Sequence, residues 1–293
     1  MPSAAMAGRY YWSVRLPVQA SSGLKRAAFD GPRRMKAGVL YETGRTLEMS
    51  LVYIFAASPM EGEPVRKIAP AADLGAPARC GANDVVLIFS GMGPGNARSK
   101  ADGALGVKSE PSVPPKPDAV LVVGLCGGLT EALPEGRVVA YTSCKSIDAM
   151  KPVLPCSQSA VNSVVTLLAS SGIACDRAVG ITSSRIATNR QERLALAKSG
   201  AAVVDMESYS ILEAAATAGV PVAVLRVVAD SLDRVLPNLN RALDDAGGLD
   251  GRKALRVALG SPVRTARLLA ANKRAMQRLG KALEIVLKAR CFA

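Results

Sequence analysis

The stretch that most constrains the fold contains two apolar runs separated by a helix-forming segment. The runs cover residues 201–204 and 222–228, and each is followed by carboxylates. The alanine-rich segment between them, 208–218, is followed by Gly219 and Pro221, residue types that end a helix and prevent its continuation. Apolar runs rich in β-branched residues are typical of strands buried on both faces. The stretch therefore predicts a strand–helix–strand unit of a parallel sheet.

Acidic residues stand at the end of both predicted strands. Glu207 comes shortly after the first strand, and Asp230 comes directly after the second. In α/β units of this kind, ligands bind at the carboxyl ends of the strands. A single acid in such a place is commonly a solvated loop residue. Two acids on either side of one helix favour a site, so we expect Glu207 and Asp230 to face one crevice.

Strands and helices alternate along the rest of the chain. Further buried strands are predicted at 50–57, 85–89, 118–123, 137–142 and 178–182, and further helices at 159–171 and 191–198. This alternation predicts an α/β fold with three layers, in which a mostly parallel, mixed central sheet is flanked by helices.

The two ends of the chain carry its positive charge. Residues 1–49 hold eight Lys or Arg and three acids, and residues 252–293 hold eleven Lys or Arg and one acid. We interpret 1–49 as a poorly ordered basic extension, or as the result of a start site placed upstream of Met49. Residues 50–251 form a nearly neutral domain, which argues against a nucleic-acid partner. Residues 262–289 have the spacing of a basic amphipathic helix, which can pack on the domain or lie on an anionic membrane.

The residue types that are missing narrow the chemistry. The chain has no histidine, so neither a Ser–His nor a Cys–His nucleophile pair can form. Its six cysteines are scattered without a CxxC pair, which predicts no metal site and fits reduced thiols in the cytoplasm. Acid–base chemistry must come from other groups, and the carboxylates at the strand ends fit that need.

A glycine-rich turn follows the predicted strand at 85–89. A dinucleotide-binding G-x-G-x-x-G pattern would need glycine at position 96, which is Asn96, and this disfavours an NAD-dependent enzyme. Gly91 and Gly93 can instead bring backbone amides close to an anion or a sugar. An ordinary tight turn from strand to helix explains them equally well. A second glycine turn, containing Gly127, follows the strand at 118–123.

The order of these pieces resembles the nucleoside phosphorylase superfamily, specifically the branch with 5′-methylthioadenosine/S-adenosylhomocysteine nucleosidase. The resemblance covers roughly residues 50–235. The matching pieces are Met60-Glu61-Gly62-Glu63, Ser90-Gly91-Met92-Gly93, Pro117-Asp118 to Gly127-Gly128-Leu129, Val204-Asp205-Met206-Glu207-Ser208 and Arg226 to Asp230. Within the superfamily, the chain is most similar to the hopanoid-biosynthesis-associated phosphorylases. The features that carry this resemblance are the Asp-Met-Glu-Ser motif, the Val-Ala-Asp motif and the basic C-terminal helix.

The resemblance implies cleavage of the N-glycosidic bond of a purine nucleoside, an adenosine with a modified 5′ position. Such cleavage leaves positive charge on the sugar and negative charge on the base, so carboxyl groups are useful at both. By resemblance Asp230 protonates the purine, Glu207 binds the ribose hydroxyls, Met206 lies against the sugar, and Glu63 orients the attacking water. Further substrate contacts are expected at Gly91, Gly93, Gly127 and Ile186, with no metal and no cofactor.

Departures from the family pattern leave the attacking group open. The serine that usually precedes the base-protonating acid is Ala229 here. Positions that bind phosphate in hexameric phosphorylases carry Glu61, Val122 and Leu125. These changes favour water, whereas the hopanoid-associated group is named for phosphorolysis, so phosphate stays a candidate co-substrate.

The partners implied are a small purine nucleoside and a second copy of the chain, with a homodimer as the first expectation. We expect a cytoplasmic protein, with peripheral contact to the inner membrane through the basic helix. The alternative function is a nucleoside-binding protein without catalysis. The presence of Glu63, Glu207 and Asp230 together argues against that alternative.

Overall fold

A computed structural model describes residues 38–40, 46–72, 77–107, 115–244 and 248–292. Most of the expected extension at 1–49 lies outside the described residues. Two short strands near its end, Gly38–Leu40 and Thr46–Glu48, pair antiparallel with each other.

The elements follow one another in the predicted alternation. The strands are β1 (Gly38–Leu40), β2 (Thr46–Glu48), β3 (Ser50–Ala56), β4 (Ala78–Cys80), β5 (Asn83–Phe89), β6 (Ala119–Gly128), β7 (Val138–Ser146), β8 (Leu154–Pro155), β9 (Cys175–Thr182), β10 (Val203–Asp205) and β11 (Val222–Asp230). The helices are α1 (Pro59–Ile68), α2 (Pro94–Ala104), α3 (Gln158–Ser170), α4 (Arg190–Ala197), α5 (Ser208–Ala218), α6 (Gly251–Gly260) and α7 (Pro262–Lys288), with a 3₁₀ helix at Leu239–Ala242.

The main sheet is mixed, and part of it closes on itself. Its strand order is β10-β9-β7-β11-β6-β3-β5-β4, with β8 added to β7. Strands β5, β3, β6 and β11 are parallel, whereas β7 runs antiparallel to β11. The short β10 pairs with β9 on one side and with β6 on the other, so β6, β11, β7, β9 and β10 form a closed ring. The predicted α/β class, a mixed central sheet with flanking helices, is confirmed.

Two apolar cores lie on opposite faces of this sheet, because neighbouring strand residues point to opposite sides. In β3, Ile54 belongs to one core and Phe55 to the other. Helices α1, α3 and α7 cover the first face with residues such as Val65, Leu168 and Leu283. Helices α2 and α5 cover the second face. Strands buried on both faces explain the unbroken apolar runs in the sequence.

The C-terminal helix α7 behaves differently along its length. Its buried residues begin at Ala271, and from Ala275 onward it packs into the first core. Its end is fixed by Asn83, whose Nδ2 donates to the carbonyls of Leu287 and Ala289, each at 2.8 Å. The preceding residues, 251–270, have no buried side chain. The second part of the basic segment therefore packs into the domain core, whereas the first part contacts the domain with half-buried side chains only.

Candidate active site

A cavity of about 300 Å³ lies where strands β3, β6, β10 and β11 end. Its size is at the lower end of the range for small-molecule sites. The wall includes five of the residues expected from the sequence, namely Gly127, Ile186, Met206, Glu207 and Asp230. These residues are up to 103 positions apart in the chain, and the strand ends bring them together as the parallel sheet predicts.

Glu63, expected to orient the attacking water, lies outside this cavity. Its side chain is 54% exposed and its carboxylate lies 3.7 Å from Lys67 Nζ on the surface. It lines a separate groove between α1 and α7. Successive residues of a helix are about 100° apart, so Glu63 points nearly opposite to Glu61 on α1. The position of Glu63 therefore does not fit the expected role, and Glu61 is the acid of this helix that faces the cavity.

Glu61 is aimed at the cavity by the start of α1. The N-cap Ser58 accepts a hydrogen bond from the Glu61 amide at 3.4 Å. The carboxylate turns back, so that Oε2 accepts from the Ala57 amide at 3.1 Å and Oε1 accepts from the Leu125 amide at 2.7 Å. Serine followed three residues later by glutamate is the spacing of a capping box. This spacing was a usable signal in the sequence that Glu61, rather than Glu63, points back toward the strand end.

Arg226 of β11 lies among the carboxylates at this end of the cavity and is 1% exposed. Its Nη2 is 3.3 Å from Glu207 Oε2 and 3.7 Å from Asp205 Oδ2. It also donates to the Ser208 hydroxyl at 3.0 Å and to the Leu125 carbonyl at 3.1 Å. A charged residue inside a run as apolar as 222–228 is itself a sequence signal for a buried ionic site.

We call Glu61, Asp205 and Glu207, with Arg226 between them, the acidic cluster. Burial raises the pKa of Glu207 to about 7, with Arg226 opposing the rise and the other two carboxylates adding to it. Burial also raises the pKa of Glu61. Carboxyl groups with a pKa near neutrality can take up and release protons at physiological pH.

Gly124 makes the close approach within the acidic cluster possible. Its φ is +147°, and a Cβ at this position would lie 2.6 Å from Glu61 Oε1 and 2.7 Å from Arg226 Nη1. A side chain there would displace both charged groups. This residue is therefore glycine because two side chains need the space.

The first glycine turn serves the cluster indirectly. The Gly93 amide donates to Glu207 Oε1 at 3.1 Å, and Gly93 has a φ of +86° that favours glycine. Met92 lines the cavity, while Gly91 and Gly93 are not among the described residues of its wall. The predicted approach of a backbone amide to an anion is present in this turn, but the anion is the carboxylate of Glu207.

Asp230, also on the cavity wall, is paired with Arg193 of α4, which is 1% exposed. Arg193 Nη1 also donates to the backbone carbonyls of Asp230, at 3.2 Å, and Ser231, at 2.7 Å. Burial raises the pKa of Asp230, and Arg193 acts in the opposite direction. Gly127 leaves room for this carboxylate, since a Cβ there would lie 3.1 Å from Asp230 Oδ2. We call Asp230 and Arg193 the paired end. No local signal distinguished Arg193 from the exposed arginines expected on an amphipathic helix.

The remaining wall is mainly apolar, although Arg185 and Asn272 also line it. A pair of hydrogen bonds fixes one part of this wall. The Ile186 amide donates to Asn240 Oδ1, and Asn240 Nδ2 donates to the Ile186 carbonyl, both at 2.8 Å. Apolar residues complete this side of the cavity: Leu236, Leu239, Leu249 and Leu268. The cavity wall therefore combines two groups of acidic and basic side chains with a mainly apolar part.

Comparisons with known proteins place the chain in a family and a fold. The model of the phosphorylase superfamily matches residues 78–254. The 5′-methylthioadenosine/S-adenosylhomocysteine nucleosidase of Neisseria meningitidis, solved with methylthio-immucillin-A, has a TM-score of 0.62 at 17% identity, covering 82% of this chain and 99% of that one. The futalosine hydrolase of Helicobacter pylori has a TM-score of 0.61 at 15% identity, covering 81% and 97%.

A third structure, the 5′-methylthioadenosine/S-adenosylhomocysteine nucleosidase of S. pneumoniae with the transition-state inhibitor MT-ImmA, gives a TM-score of 0.60 at 18% identity, covering 82% and 99%. At these identities the likeness shows the fold. No curated protein sequence matches the chain. The family match spans more than half of the sequence, and on that ground the chain belongs to the phosphorylase superfamily.

Proposed function

We propose that this protein hydrolyses the N-glycosidic bond of a purine nucleoside and releases the free base, with 5′-modified adenosines as the substrate class. The proposal is supported by a cavity whose wall carries two separate groups of carboxyl side chains. It is also supported by the family, and by structural neighbours that include two nucleosidases and a futalosine hydrolase.

The paired end is the expected place of the base. Departure of a purine is easiest when its ring nitrogen is protonated, because the base then leaves neutral. Burial favours the protonated form of Asp230, which suits proton donation, while Arg193 favours the carboxylate, which accepts a hydrogen bond from a protonated ring. Arg193 thereby tunes how the proton is shared between Asp230 and the base.

The acidic cluster is the expected place of the sugar. Each Glu207 oxygen already accepts one hydrogen bond, from Gly93 and from Arg226. A carboxylate has about four acceptor sites, so Glu207 can still accept from ribose hydroxyls. Negative charge at this end also stabilises the positive charge that develops on the sugar. Met206, buried on the same wall, offers an apolar contact to the ribose.

Glu61 takes the role that the sequence suggested for Glu63. A general base must lie within reach of the water that it deprotonates, and Glu61 is the α1 carboxylate on the cavity wall. Its raised pKa makes it a stronger base than an exposed carboxylate. The two backbone amides that bond its oxygens hold the group in place.

One observation favours water over phosphate: the acidic cluster has three carboxylates for one arginine. A phosphate dianion entering this end of the cavity would meet an excess of negative charge in a poorly solvated place. Arg226 is already bonded to Glu207, Ser208 and Leu125. Val122, at a position that binds phosphate in hexameric phosphorylases, is 1% exposed and packs in a core.

The test is release of adenine from adenosine, 5′-methylthioadenosine and a 5′-alkyl adenosine, each with and without phosphate. We expect release that does not depend on phosphate. Strict dependence on phosphate would replace hydrolysis by phosphorolysis. Folded protein that binds these nucleosides but releases no adenine under either condition would support the non-catalytic binding protein instead.

Three finer expectations accompany this proposal and stay predictions. They are the hopanoid-associated branch, a homodimeric state and a cytoplasmic location with peripheral membrane contact. Analytical ultracentrifugation of the purified full chain measures the second of these directly.

A further inference from the structure

Helix α6 and the first turns of α7, residues 251–270, form an exposed segment that we call the helical overhang. None of its side chains is buried, and all of them lie within the described residues 248–292. Its large apolar residues face solvent: Leu255 is 60% exposed, Leu259 73%, Val263 62% and Leu269 61%. Such a concentration of exposed apolar side chains marks an interaction surface rather than a chance surface residue.

Within α6 the apolar and basic residues lie side by side. Leu255 and Leu259 are four residues apart and share one face of the helix. Arg252 and Arg256 each precede one of these leucines by three residues, so they border the same face. The opposite side of α6 is half-buried, with Val257 among its residues. The leucines of α6 are therefore the part of the helix that the domain leaves uncovered.

The charge around this face is mainly positive, although Asp250 at the N-cap of α6 lies near Lys253 and Arg256. Residues 251–283 contain nine Lys or Arg and no acid. Arg264 and Arg267 form no ion pair in the part of the chain that the structure describes. Apolar side chains bordered by an excess of positive charge are the pattern of helices that lie in the interface of an anionic bilayer. A second copy of the same face is a poor partner, because it would oppose two basic surfaces.

We infer that the helical overhang docks this protein on the surface of a membrane that contains anionic lipids. The leucines enter the interfacial region, and the arginines contact the lipid phosphates. The attachment is peripheral: among the helices described, none combines the length and the apolar character needed to cross a bilayer.

The position of the overhang links docking to the cavity. Leu249 precedes α6, Leu268 lies within the overhang, and both line the cavity wall. Leu268 is also the neighbour of the exposed Leu269. Docking thus places the apolar wall of the cavity close to the lipid. Docking would give the cavity access to nucleosides whose apolar 5′ group is held in the membrane. This consequence rests on the proposed function, whereas docking itself does not.

Co-sedimentation of the full chain with vesicles tests docking without any enzymatic readout. We compare phosphatidylcholine vesicles with vesicles that also contain phosphatidylserine, at low and at high salt. Binding is expected with phosphatidylserine at low salt and is weakened by salt, since exposed charges are screened. The double variant Leu255→Asn/Leu259→Asn is expected to reduce the bound fraction at least roughly tenfold, because it removes the apolar insertion.

A matched control uses two exposed apolar residues elsewhere, Ile147 at 50% and Met150 at 92% exposure. The variant Ile147→Asn/Met150→Asn should bind as the unmodified chain does, and circular dichroism confirms that both double variants are folded. Unchanged binding by Leu255→Asn/Leu259→Asn would overturn the inference and direct attention to the basic residues 1–49. Absence of binding to anionic vesicles would overturn it as well. Self-association that is lost in this variant, without lipid binding, would assign the face to a second copy.

Discussion

Arg226 and Arg193 are each 1% exposed and each contacts carboxylates of the cavity wall, yet their charge surroundings differ. Arg226 balances part of the negative charge of three carboxylates in the acidic cluster, whereas Arg193 forms an ion pair with Asp230 alone. An excess of buried carboxylates favours protonation of one of them, because like charges in a desolvated place cannot all be ionised. A balanced pair opposes protonation, although burial still leaves the pKa of Asp230 raised.

This contrast explains how carboxyl groups in one small cavity can differ in protonation although the chain has no histidine. In the acidic cluster one carboxyl group titrates near neutral pH, since the pKa of Glu207 is about 7. At the paired end, attraction to Arg193 opposes the effect of burial on Asp230. Burial raises the pKa of the carboxyl groups in both places, and the number of carboxylates per arginine adds a difference between them.

The largest expected effect follows from removing the arginine that has more partners. The substitution Arg226→Met leaves three buried carboxylates without a cation and should lower the free energy of unfolding by about 3–5 kcal/mol. Arg193→Met leaves one carboxylate, which is 11% exposed, and should cost less. Urea denaturation measures both. Arg190→Met, on the exposed side of α4, is the control and should stay within about 0.5 kcal/mol of the unmodified chain. A larger loss for Arg193→Met would break the contrast.

The next effect concerns the acidic cluster and its helix. Glu61→Gln should lower turnover at least roughly a hundredfold, because it removes the proton acceptor from the cavity wall. Glu63→Gln is the matched control on the same helix, and it should leave turnover unchanged since Glu63 lies on the surface. Steady-state adenine release measures both variants. The reverse order of effects would return the catalytic role to Glu63 and remove Glu61 from it.

The smallest effect is a dependence of stability on pH. The pKa of Glu207 rises from 4.5 to about 7 on folding. Between these values the folded state binds more protons than the unfolded state, so stability falls as pH rises and levels off above pH 7. The slope from this group is at most about 1.4 kcal/mol per pH unit. Urea denaturation across this range should show a shallower slope for Glu207→Gln than for the unmodified chain. Equal slopes would show that the cluster holds no such proton.

The sequence predicted the sheet and the two ends of the cavity because both depend on local patterns. Apolar runs mark strands that are buried on both faces, and Glu207 and Asp230 follow such runs directly. The choice between Glu61 and Glu63 depends on where α1 begins, because a shift of two residues reverses the face of a helix. Ser58 supplied that information through its spacing to Glu61.

The two buried arginines show why the rest could not be predicted. The Arg193 guanidinium is held by Asp230 and Ser231, which lie 37 and 38 residues further along the chain. Arg226 donates to a carbonyl 101 residues earlier. Burial of a charge requires partners that only the folded chain assembles. The residues near each arginine in the sequence do not indicate those partners. The apolar run around Arg226 indicates only that this arginine is buried.

The closed ring of strands has a consequence for heat inactivation. Strand β10 closes the ring with three residues, joining β6 only at Val203 and Val204, and Met206 and Glu207 follow at once. The strand that closes the ring is thus continuous with the residues that position the Glu207 carboxylate. Short pairings open at lower free energy than the core does. On warming, activity should therefore be lost at a lower temperature than that at which the sheet unfolds. A nucleoside bound by Glu207 and Asp230 should stabilise the pairing of β10 with β6.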